Sequence, residues 1–212
     1  MKAREEILRR VRSALSAAPE RRSTDAEIRR GYVQTREFPD RVGLFAERVE
    51  DYQATVIRTE PNGVAAAVAE SLAGARRVVV PRGFNAAWTP DGLDIVQDEP
   101  ALSAGELDAI DAVVTSAVVG IAVTGTIVLD HTEGQGRRAL TLVPDVHVCV
   151  VAEDQIVGDV PEAVKKLISS VSDGRPLTWI SGPSATSDIE LDRVEGVHGP
   201  RTLRIVLVES AT

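Results

Sequence analysis

Residues 124–151 read TGTIVLDHTEGQGRRALTLVPDVHVCVV, and the glycines within this stretch decide whether the fold is that of a dinucleotide-binding protein. Gly134, Gly136 and Ala139 match the spacing G-x-G-x-x-G/A, which binds a dinucleotide only where it joins a strand to a helix. The residues after Gly136 are rich in β-branched side chains and include Pro144, so they favour a strand over a helix. We therefore interpret the glycines as the loop of a β-hairpin and not as a dinucleotide site.

Four polar side chains surround this predicted loop: His131, Glu133, Arg137 and Arg138. We interpret His131 and Arg137 as solvated residues at the end of the hairpin. Arg138 lies beside the predicted strand, which makes it the better candidate for contact with an anion.

The composition excludes several classes of protein. The chain has 212 residues, of which 43% are hydrophobic, and a net charge of −8, which argues against nucleic acid as a partner. Its single cysteine, Cys149, excludes a disulfide framework and also an iron–sulfur cluster held by its own thiolates, which needs about four of them. The first residues lack the apolar segment of a secretory signal, so we expect a cytoplasmic protein.

One uncharged segment requires a test as a membrane span. Residues 112–129 carry no charge, and this length reaches the threshold for a spanning helix. More than half of the segment is valine, isoleucine or threonine, and Gly120 and Gly125 interrupt it. Because these residue types favour strands, we predict two strands and no membrane span.

The rest of the chain predicts an α/β domain preceded by a helical arm. Residues 1–17 have apolar side chains at helical spacing on one face, and a polar linker follows. Farther on, apolar strands alternate with helices, which indicates a partly parallel sheet covered on both faces. The predicted domains are an N-terminal arm with its linker over 1–40 and an α/β domain over 41–212. Helices are predicted at 44–51, 63–72 and 161–171, and strands at 54–57, 77–80, 94–96, 112–114, 121–130, 140–151, 177–181 and 203–209.

A second cluster of residues suited to a site follows the strand predicted to end at residue 181. A turn begins at Gly182, and Ser187 and Glu190 form a capping box that predicts a short helix starting at Asp188. A strand, a loop of small residues and a helix N-terminus together can bind an anion through backbone amides.

Hydroxyl groups of this cluster can add donors to such a site, namely those of Ser184, Thr186 and Ser187. Gly196 is placed to end the helix. The same residues are also explained without a ligand, as a helix cap and a tight turn. Asp188 argues against an anion because it already places a carboxylate at the helix start, so it suits a cation or a hydroxyl group instead.

The three histidines have no metal-ligand spacing, so no metal site is predicted. His198 lies in a loop rich in glycine and proline, where it is either a general acid or base or a turn histidine bonded to the backbone. His147 shares an apolar strand with Cys149, so we interpret it as a hydrogen-bonded core histidine and Cys149 as a small buried hydrophobe. The candidate catalytic residues are His198 and Asp188.

Four segments of the second half of the chain carry a family resemblance. They read TGTIVL at 124–129, RALTLVPDVHVCVV at 138–151, ISGPSATSDIE at 180–190 and GVHGPRTLRIVLV at 196–208. In order and spacing they resemble the LUD-domain family, and in particular its lactate-utilization branch. Residues 1–40 are similar to that branch only in general character, as a helical arm.

The resemblance implies a fold and a function. The implied fold is a three-layer α/β sandwich with a mainly parallel sheet, like that of sugar-phosphate isomerases and CoA transferases, with a helical N-terminal arm. The implied function is a part in the oxidation of L-lactate to pyruvate, beside two iron–sulfur proteins that carry the clusters. This chain would then be a non-redox subunit that binds no cofactor of its own, and a small carboxylate is its expected ligand.

Two positions depart from the pattern of the family. Members often have an acidic residue at the position of Val123 and an arginine at the position of Ala185, and both groups would contact a ligand. The alternative function is a standalone enzyme or a sensor that acts on an acyl-CoA, a sugar phosphate or a hydroxy acid. The residues expected to line a pocket are Thr124, Gly125, Thr126, Arg138, Ser181, Gly182, Ser184, Asp188, His198 and Gly199.

Overall fold

The computed structural model describes residues 3–17, 31, 35–187, 193–196 and 198–210. Contacts divide the chain into two units, Met1–Val33 and Gln34–Thr212. In the first unit, helix α1 (Ala3–Ala17) confirms the helix predicted from apolar spacing, and its apolar side chains are exposed.

Within its described residues, the second unit has helices α2 (Arg41–Asp51), α3 (Val64–Ser71), α4 (Ala104–Asp108) and α5 (Val160–Ser172). Its strands are β1 (Thr55–Thr59), β2 (Arg77–Val80), β3 (Asp94–Gln97), β4 (Ala112–Ser116), β5 (Val119–Ile121), β6 (Thr126–Leu129), β7 (Val146–Ala152), β8 (Ile156–Val157), β9 (Thr178–Ile180), β10 (Ala185–Ser187), β11 (Arg193–Glu195) and β12 (Thr202–Val208).

Six of these strands form one sheet in the order β1-β12-β7-β4-β2-β3, and every neighbouring pair is parallel. The central strands β4 and β7 are nearly continuous runs of buried, mostly apolar residues. Such runs are typical of parallel strands because helices or other layers cover both faces of the sheet. The predicted α/β fold with a mainly parallel sheet is therefore confirmed.

Successive residues of β7 show how the two faces are covered. Val148 points to the face on which α3 packs through Val68. Cys149 points to the opposite face, where it belongs to a core that includes Phe45 of α2. This alternation follows from the strand geometry, in which neighbouring side chains leave the sheet on opposite sides.

A second sheet, in the order β8-β5-β6-β9, lies on the same face as α2. Ile127 of β6 packs into the core shared with the parallel sheet, and Val128 faces Leu167 of α5. The uncharged segment 112–129 is thus divided among β4, β5 and β6. Among the helices in the described part of the chain, none has the length and apolar character that a membrane span requires.

The predicted β-hairpin around Gly134 and Gly136 is wrong. Strand β6 pairs with β5 and β9 in the second sheet, whereas β7 lies between β4 and β12 in the parallel sheet. Part of the predicted second strand is a 3₁₀ turn, Arg138–Thr141. Since β7 is apolar on both faces, it is stabilised in the middle of a covered sheet and not in a two-stranded hairpin.

The helix predicted to run from Asp188 to Gly196 is wrong where the structure describes it. Arg193–Glu195 is strand β11, which pairs antiparallel with β10. Asp188 itself lies outside the described residues. Serine, threonine and aspartate favour turns as well as helix caps, because their side chains bond to nearby backbone amides, so the capping-box spacing did not distinguish the two structures.

Candidate functional site

A cavity of about 220 Å³ lies beside β9 and β10, and predicted ligand-binding residues from distant parts of the sequence line it. The predicted residues among its walls are Arg138, Ser181, Gly182, Ser184, His198 and Gly199. The wall also includes His147 and Leu203 of the parallel sheet and Ile180 of β9.

The cavity lies at the amino ends of two parallel strands. His147 is the second residue of β7, and Leu203 is the second residue of β12. Open α/β sheets more often bind ligands outside the carboxyl ends of their strands. The carboxyl end of β9, at Ile180, faces the same space and carries the Ser181–Gly182 turn into the wall.

Ser184 connects the two loops that form the mouth of the cavity. Its amide donates to the carbonyl oxygen of Pro200 at 2.8 Å, and its carbonyl oxygen accepts from the amide of Gly196 at 2.9 Å. Its hydroxyl oxygen accepts from the amide of His198 at 3.0 Å. Ser184 therefore positions the loop that brings the exposed His198 side chain to the mouth of the cavity.

Arg138 supplies positive charge to the cavity. Its Nη1 donates to the carbonyl oxygen of Thr141 at 3.1 Å and to the hydroxyl oxygen at 2.8 Å. Across the described ranges, no carboxylate pairs with its guanidinium. Burial lowers the pKa of Arg138, but an arginine keeps its charge in proteins. The geometry is suited to the anion contact that the sequence predicts for this residue.

His147 lies at the floor of the cavity, with only 1% of its surface exposed. Its Nε2 lies 2.8 Å from Oγ1 of Thr115, so the interpretation as a hydrogen-bonded core histidine is confirmed. Burial, with a smaller effect of the Arg138 charge, lowers the pKa of His147 to about 3, so the imidazole is neutral at physiological pH. Its place in the cavity was not predicted from the sequence. The sequence signal that could have indicated it is a polar side chain at the start of an apolar strand, since His147 is the second residue of β7.

The residues 124–126 do not line the cavity. Oγ1 of Thr126 lies 2.7 Å from Oγ1 of Thr124 and 2.7 Å from Oγ of Ser181. Thr126 is 4% exposed, so this chain of hydroxyl groups is an internal link between β6 and the Ser181 turn. Its contribution to the site is to position Ser181.

The backbone conformation at position 125 and the close approach of α2 both require a glycine there. Its φ is +57°, and a Cβ added to it would lie 2.5 Å from the carbonyl carbon of Arg48 in α2. Replacement of Gly125 by alanine is expected to lower the free energy of unfolding by about 2–3 kcal/mol, from the left-handed backbone and the steric clash together. Urea denaturation measures this loss.

Gly74→Ala is the matched control for Gly125→Ala. Gly74 has φ +93° and nothing within 4 Å of an added Cβ, so the variant isolates the backbone strain. We expect it to cost about 1 kcal/mol. Equal losses of unfolding free energy in the two variants would show that the clash with α2 adds nothing to the cost of Gly125→Ala.

The loop with the two glycines fills the crevice at the carboxyl ends of β2 and β4. The amide of Gly134 donates to the carbonyl oxygen of Arg82, and its own carbonyl oxygen accepts from the amide of Ser116, both at 2.8 Å. The amides of the next two residues donate to the carbonyl oxygen of Thr132. Because these amides have internal partners, the loop offers none of them to a pyrophosphate, in agreement with the sequence interpretation.

The interpretation of His131 and Arg137 as solvated residues is wrong. Nδ1 of His131 donates to the carbonyl oxygen of Gly136 at 2.7 Å, and Nε2 lies 2.8 Å from Oγ1 of Thr178. Arg137 forms a two-pronged ion pair with Asp98 at 2.7 and 3.0 Å. Both side chains fasten the loop to its surroundings, which a local sequence pattern does not reveal.

Asp130 is the centre of a buried polar network that the sequence analysis missed. It is 3% exposed, and its carboxylate accepts from the hydroxyl groups of Thr132 and of Ser170 in α5, each at 2.7 Å. Nη1 of Arg175 lies 3.6 Å away. Burial alone would raise the pKa of Asp130, but these hydrogen bonds and the Arg175 charge outweigh it and lower the pKa below its ordinary value.

The two positions that depart from the expected family pattern have different surroundings. Val123 is partly buried and packs against the core under α5. Ala185 lines the cavity, so an arginine at this position would face the ligand space.

In the described ranges, no group of three or more histidine, cysteine, aspartate or glutamate side chains is arranged to hold a metal ion.

Comparison with known proteins places the chain among relatives of similar length. The family model described as LUD domain matches residues 104–208. A lactate utilization protein C from Deinococcus radiodurans is 55% identical over 164 residues, which are 77% of each chain. One from Bacillus licheniformis is 24% identical over 86% of this chain and 82% of its own.

A solved structure is similar as well. The crystal structure of a DUF162 family protein from Deinococcus radiodurans has 46% sequence identity and a TM-score of 0.72, and the match covers 80% of this chain and 96% of that chain. With the parallel sheet and the matched segment 104–208, these similarities show that the chain belongs to the LUD domain family.

Proposed function

We propose that this protein takes part in the utilization of lactate and that its cavity binds a small carboxylate. The assignment to lactate utilization is carried by the 55% identity to a relative named for that role. The ligand class is supported by Arg138, whose guanidinium lines the cavity without a described carboxylate partner. Arginine is the natural two-pronged partner of a carboxylate.

The finer proposal is that the chain is a non-redox subunit that acts with two iron–sulfur proteins. Iron–sulfur clusters are held by about four cysteine thiolates, and this chain has only Cys149. Burial raises the pKa of Cys149 to about 12, although a hydrogen bond with Thr115 acts in the opposite direction. A fully buried thiol of this kind does not ligate a cluster, so the clusters would belong to partner chains.

Affinity purification of the tagged chain from its native host, grown on lactate, tests the assembly. We expect mass spectrometry to identify two co-purifying, cysteine-rich proteins and the preparation to contain iron. Isolation of the chain by itself, under conditions that preserve complexes, would contradict the subunit role and favour a standalone enzyme or sensor. Binding assays with acyl-CoA esters, sugar phosphates and hydroxy acids would then identify its ligand.

Replacement of Arg138 by glutamine is expected to weaken the binding of lactate or pyruvate by about 10- to 100-fold. Hydrogen bonds to a charged group contribute about 1.5–3 kcal/mol, and each ~1.4 kcal/mol corresponds to a factor of ten. Glutamine retains part of the stem of Arg138 and removes its charge. Isothermal titration calorimetry of the pure protein measures the two dissociation constants.

Arg82→Gln is the matched control for this prediction. The Arg82 side chain is 76% exposed and does not line the cavity, so we expect wild-type affinity. Undiminished binding by Arg138→Gln, or an equal loss in both variants, would contradict the role of Arg138.

A further inference from the structure

Two polar groups of different kinds meet in the cavity. Arg138 contributes a guanidinium at the wall, and His147 contributes a neutral imidazole at the floor. The part of the lining that the structure describes contains no aspartate or glutamate, although the protein as a whole has a net charge of −8. The described part of the lining therefore carries a net positive charge within an acidic protein, which suits an anionic ligand.

One ring nitrogen of His147 is held in place and the other is open. Thr115 of β4 fixes the ring through the 2.8 Å contact between Oγ1 and Nε2. Among the described residues, none forms a hydrogen bond with Nδ1. Nδ1 is not among the described buried atoms that lack a hydrogen-bond partner, so it is accessible from the cavity, and a ligand atom that bonds to it takes the place of water. The surrounding wall at Leu203 and Ile180 is apolar and suits a short hydrocarbon group.

We propose that His147 determines the specificity of this cavity by forming a hydrogen bond with the oxygen atom on the carbon next to the carboxylate of the ligand. The inference rests on the carboxylate site of the proposed function and names its substrate class, which is small 2-hydroxy and 2-oxo acids. Arg138 binds the carboxylate, and Nδ1 of His147 binds the neighbouring oxygen. Carboxylates without that oxygen do not form this hydrogen bond and bind more weakly.

The tautomer of His147 decides between the two kinds of acid. A neutral imidazole has one donor nitrogen and one acceptor nitrogen. If the hydroxyl group of Thr115 donates to Nε2, Nδ1 carries the hydrogen and donates to a keto or a hydroxyl oxygen. If Nε2 instead donates to Thr115, Nδ1 accepts, and only a 2-hydroxy acid has a hydrogen to give. The affinities for pyruvate and lactate therefore report the tautomer.

Calorimetric titration of the full chain with lactate, pyruvate and propanoate tests the proposal. Propanoate has the same carbon skeleton and lacks the 2-oxygen. We expect wild type to bind lactate or pyruvate at least about tenfold more tightly than propanoate, the ratio that ~1.4 kcal/mol produces. In His147→Leu this ratio is expected to fall close to one while the affinity for propanoate is retained.

Two further variants separate a specificity role from a structural one. His147→Asn places an amide near the position of Nδ1, so it is expected to restore part of the ratio that His147→Leu loses. Thr115→Val preserves the size of the side chain and removes the hydroxyl group that fixes the ring, so it is expected to reduce the ratio. If His147→Leu does not fold, the affinity ratio measured in Thr115→Val still tests the role of His147.

The outcomes distinguish this inference from the proposed function on which it rests. If wild type binds none of the three acids, the carboxylate site fails and the inference fails with it. If wild type binds all three equally, or if the ratio survives in the variants of His147 and Thr115, the carboxylate site remains and the role of His147 is wrong.

Discussion

Replacement of Asp130 by alanine is expected to lower the free energy of unfolding by about 3–5 kcal/mol, because two hydrogen bonds to a charged group, each worth about 1.5–3 kcal/mol, are lost. The Asp130 carboxylate is nearly inaccessible to solvent and joins Thr132 to Ser170 of α5. Without it, both hydroxyl groups lose an acceptor, and Arg175 keeps only its ion pair with the exposed Asp173. The same network anchors the loop that leads to Arg138, so the variant is also expected to bind carboxylates less well.

Urea denaturation followed by circular dichroism measures this loss. Asp91→Ala is the control, because Asp91 is an exposed turn residue, and a change within about 0.5 kcal/mol is expected there. A loss below about 1 kcal/mol in Asp130→Ala would contradict the importance of the network.

The Asp130 network also predicts the direction of a pH dependence. The pKa of Asp130 is lower in the folded protein than its ordinary value, about 3.9, so the carboxylate contributes its full stability above that pH. This contribution is lost as the pH falls through the folded-state pKa. Asp130→Asn has no such titration. The difference in unfolding free energy between wild type and Asp130→Asn is therefore expected to be constant near neutral pH and to shrink below about pH 4.

Replacement of Phe45 by alanine is expected to cost about 3–5 kcal/mol of stability, as for other large-to-small changes at a buried aromatic residue. Phe45 is fully buried on α2, within the core between the two sheets. A Cβ added to Gly120 would lie 3.2 Å from its ring, which shows how closely the ring packs on β5. Because backbone hydrogen bonds hold the strands of both sheets, the space left by the ring cannot close completely.

Gly120→Ala supplies the matched test of this packing. As a single variant it is expected to be destabilising, because its methyl group would crowd Phe45. In the Phe45→Ala background the same methyl group enters vacated space. The double variant is therefore expected to lose at least about 0.5 kcal/mol less free energy of unfolding than the sum of the two single variants. Strict additivity in urea denaturation would show that Gly120 and Phe45 do not pack against each other.

The sequence predicted an element correctly where the pattern of apolar residues within that element shows how it is buried. The apolar runs of β4, β7 and β12 predicted strands, and apolar residues at helical spacing predicted α1. Wherever the partner of an element mattered, local patterns were insufficient. β6 and β7 both have strand composition, and nothing in either one tells which sheet it joins.

The candidate site shows the same division. Arg138, Ser184 and His198 were recognised from residue type and from their glycine-rich surroundings, and they line one cavity. His147 was recognised only as a core residue, because its neighbours along the chain are apolar. Its position at the floor of the cavity depends on β7 beginning beside β12 and on the Ser181 turn that also lines the cavity.

The sequence by itself therefore determined the class of fold, the rejection of a dinucleotide site and the residue types available to a carboxylate. Only the tertiary structure decided that β6 and β7 belong to different sheets, that residues 193–195 form a strand, and that Arg138 and His147 share a cavity. The physical reason is that periodicity reports how one element is buried. The choice of partners depends on the free energy of packing between segments far apart in the chain.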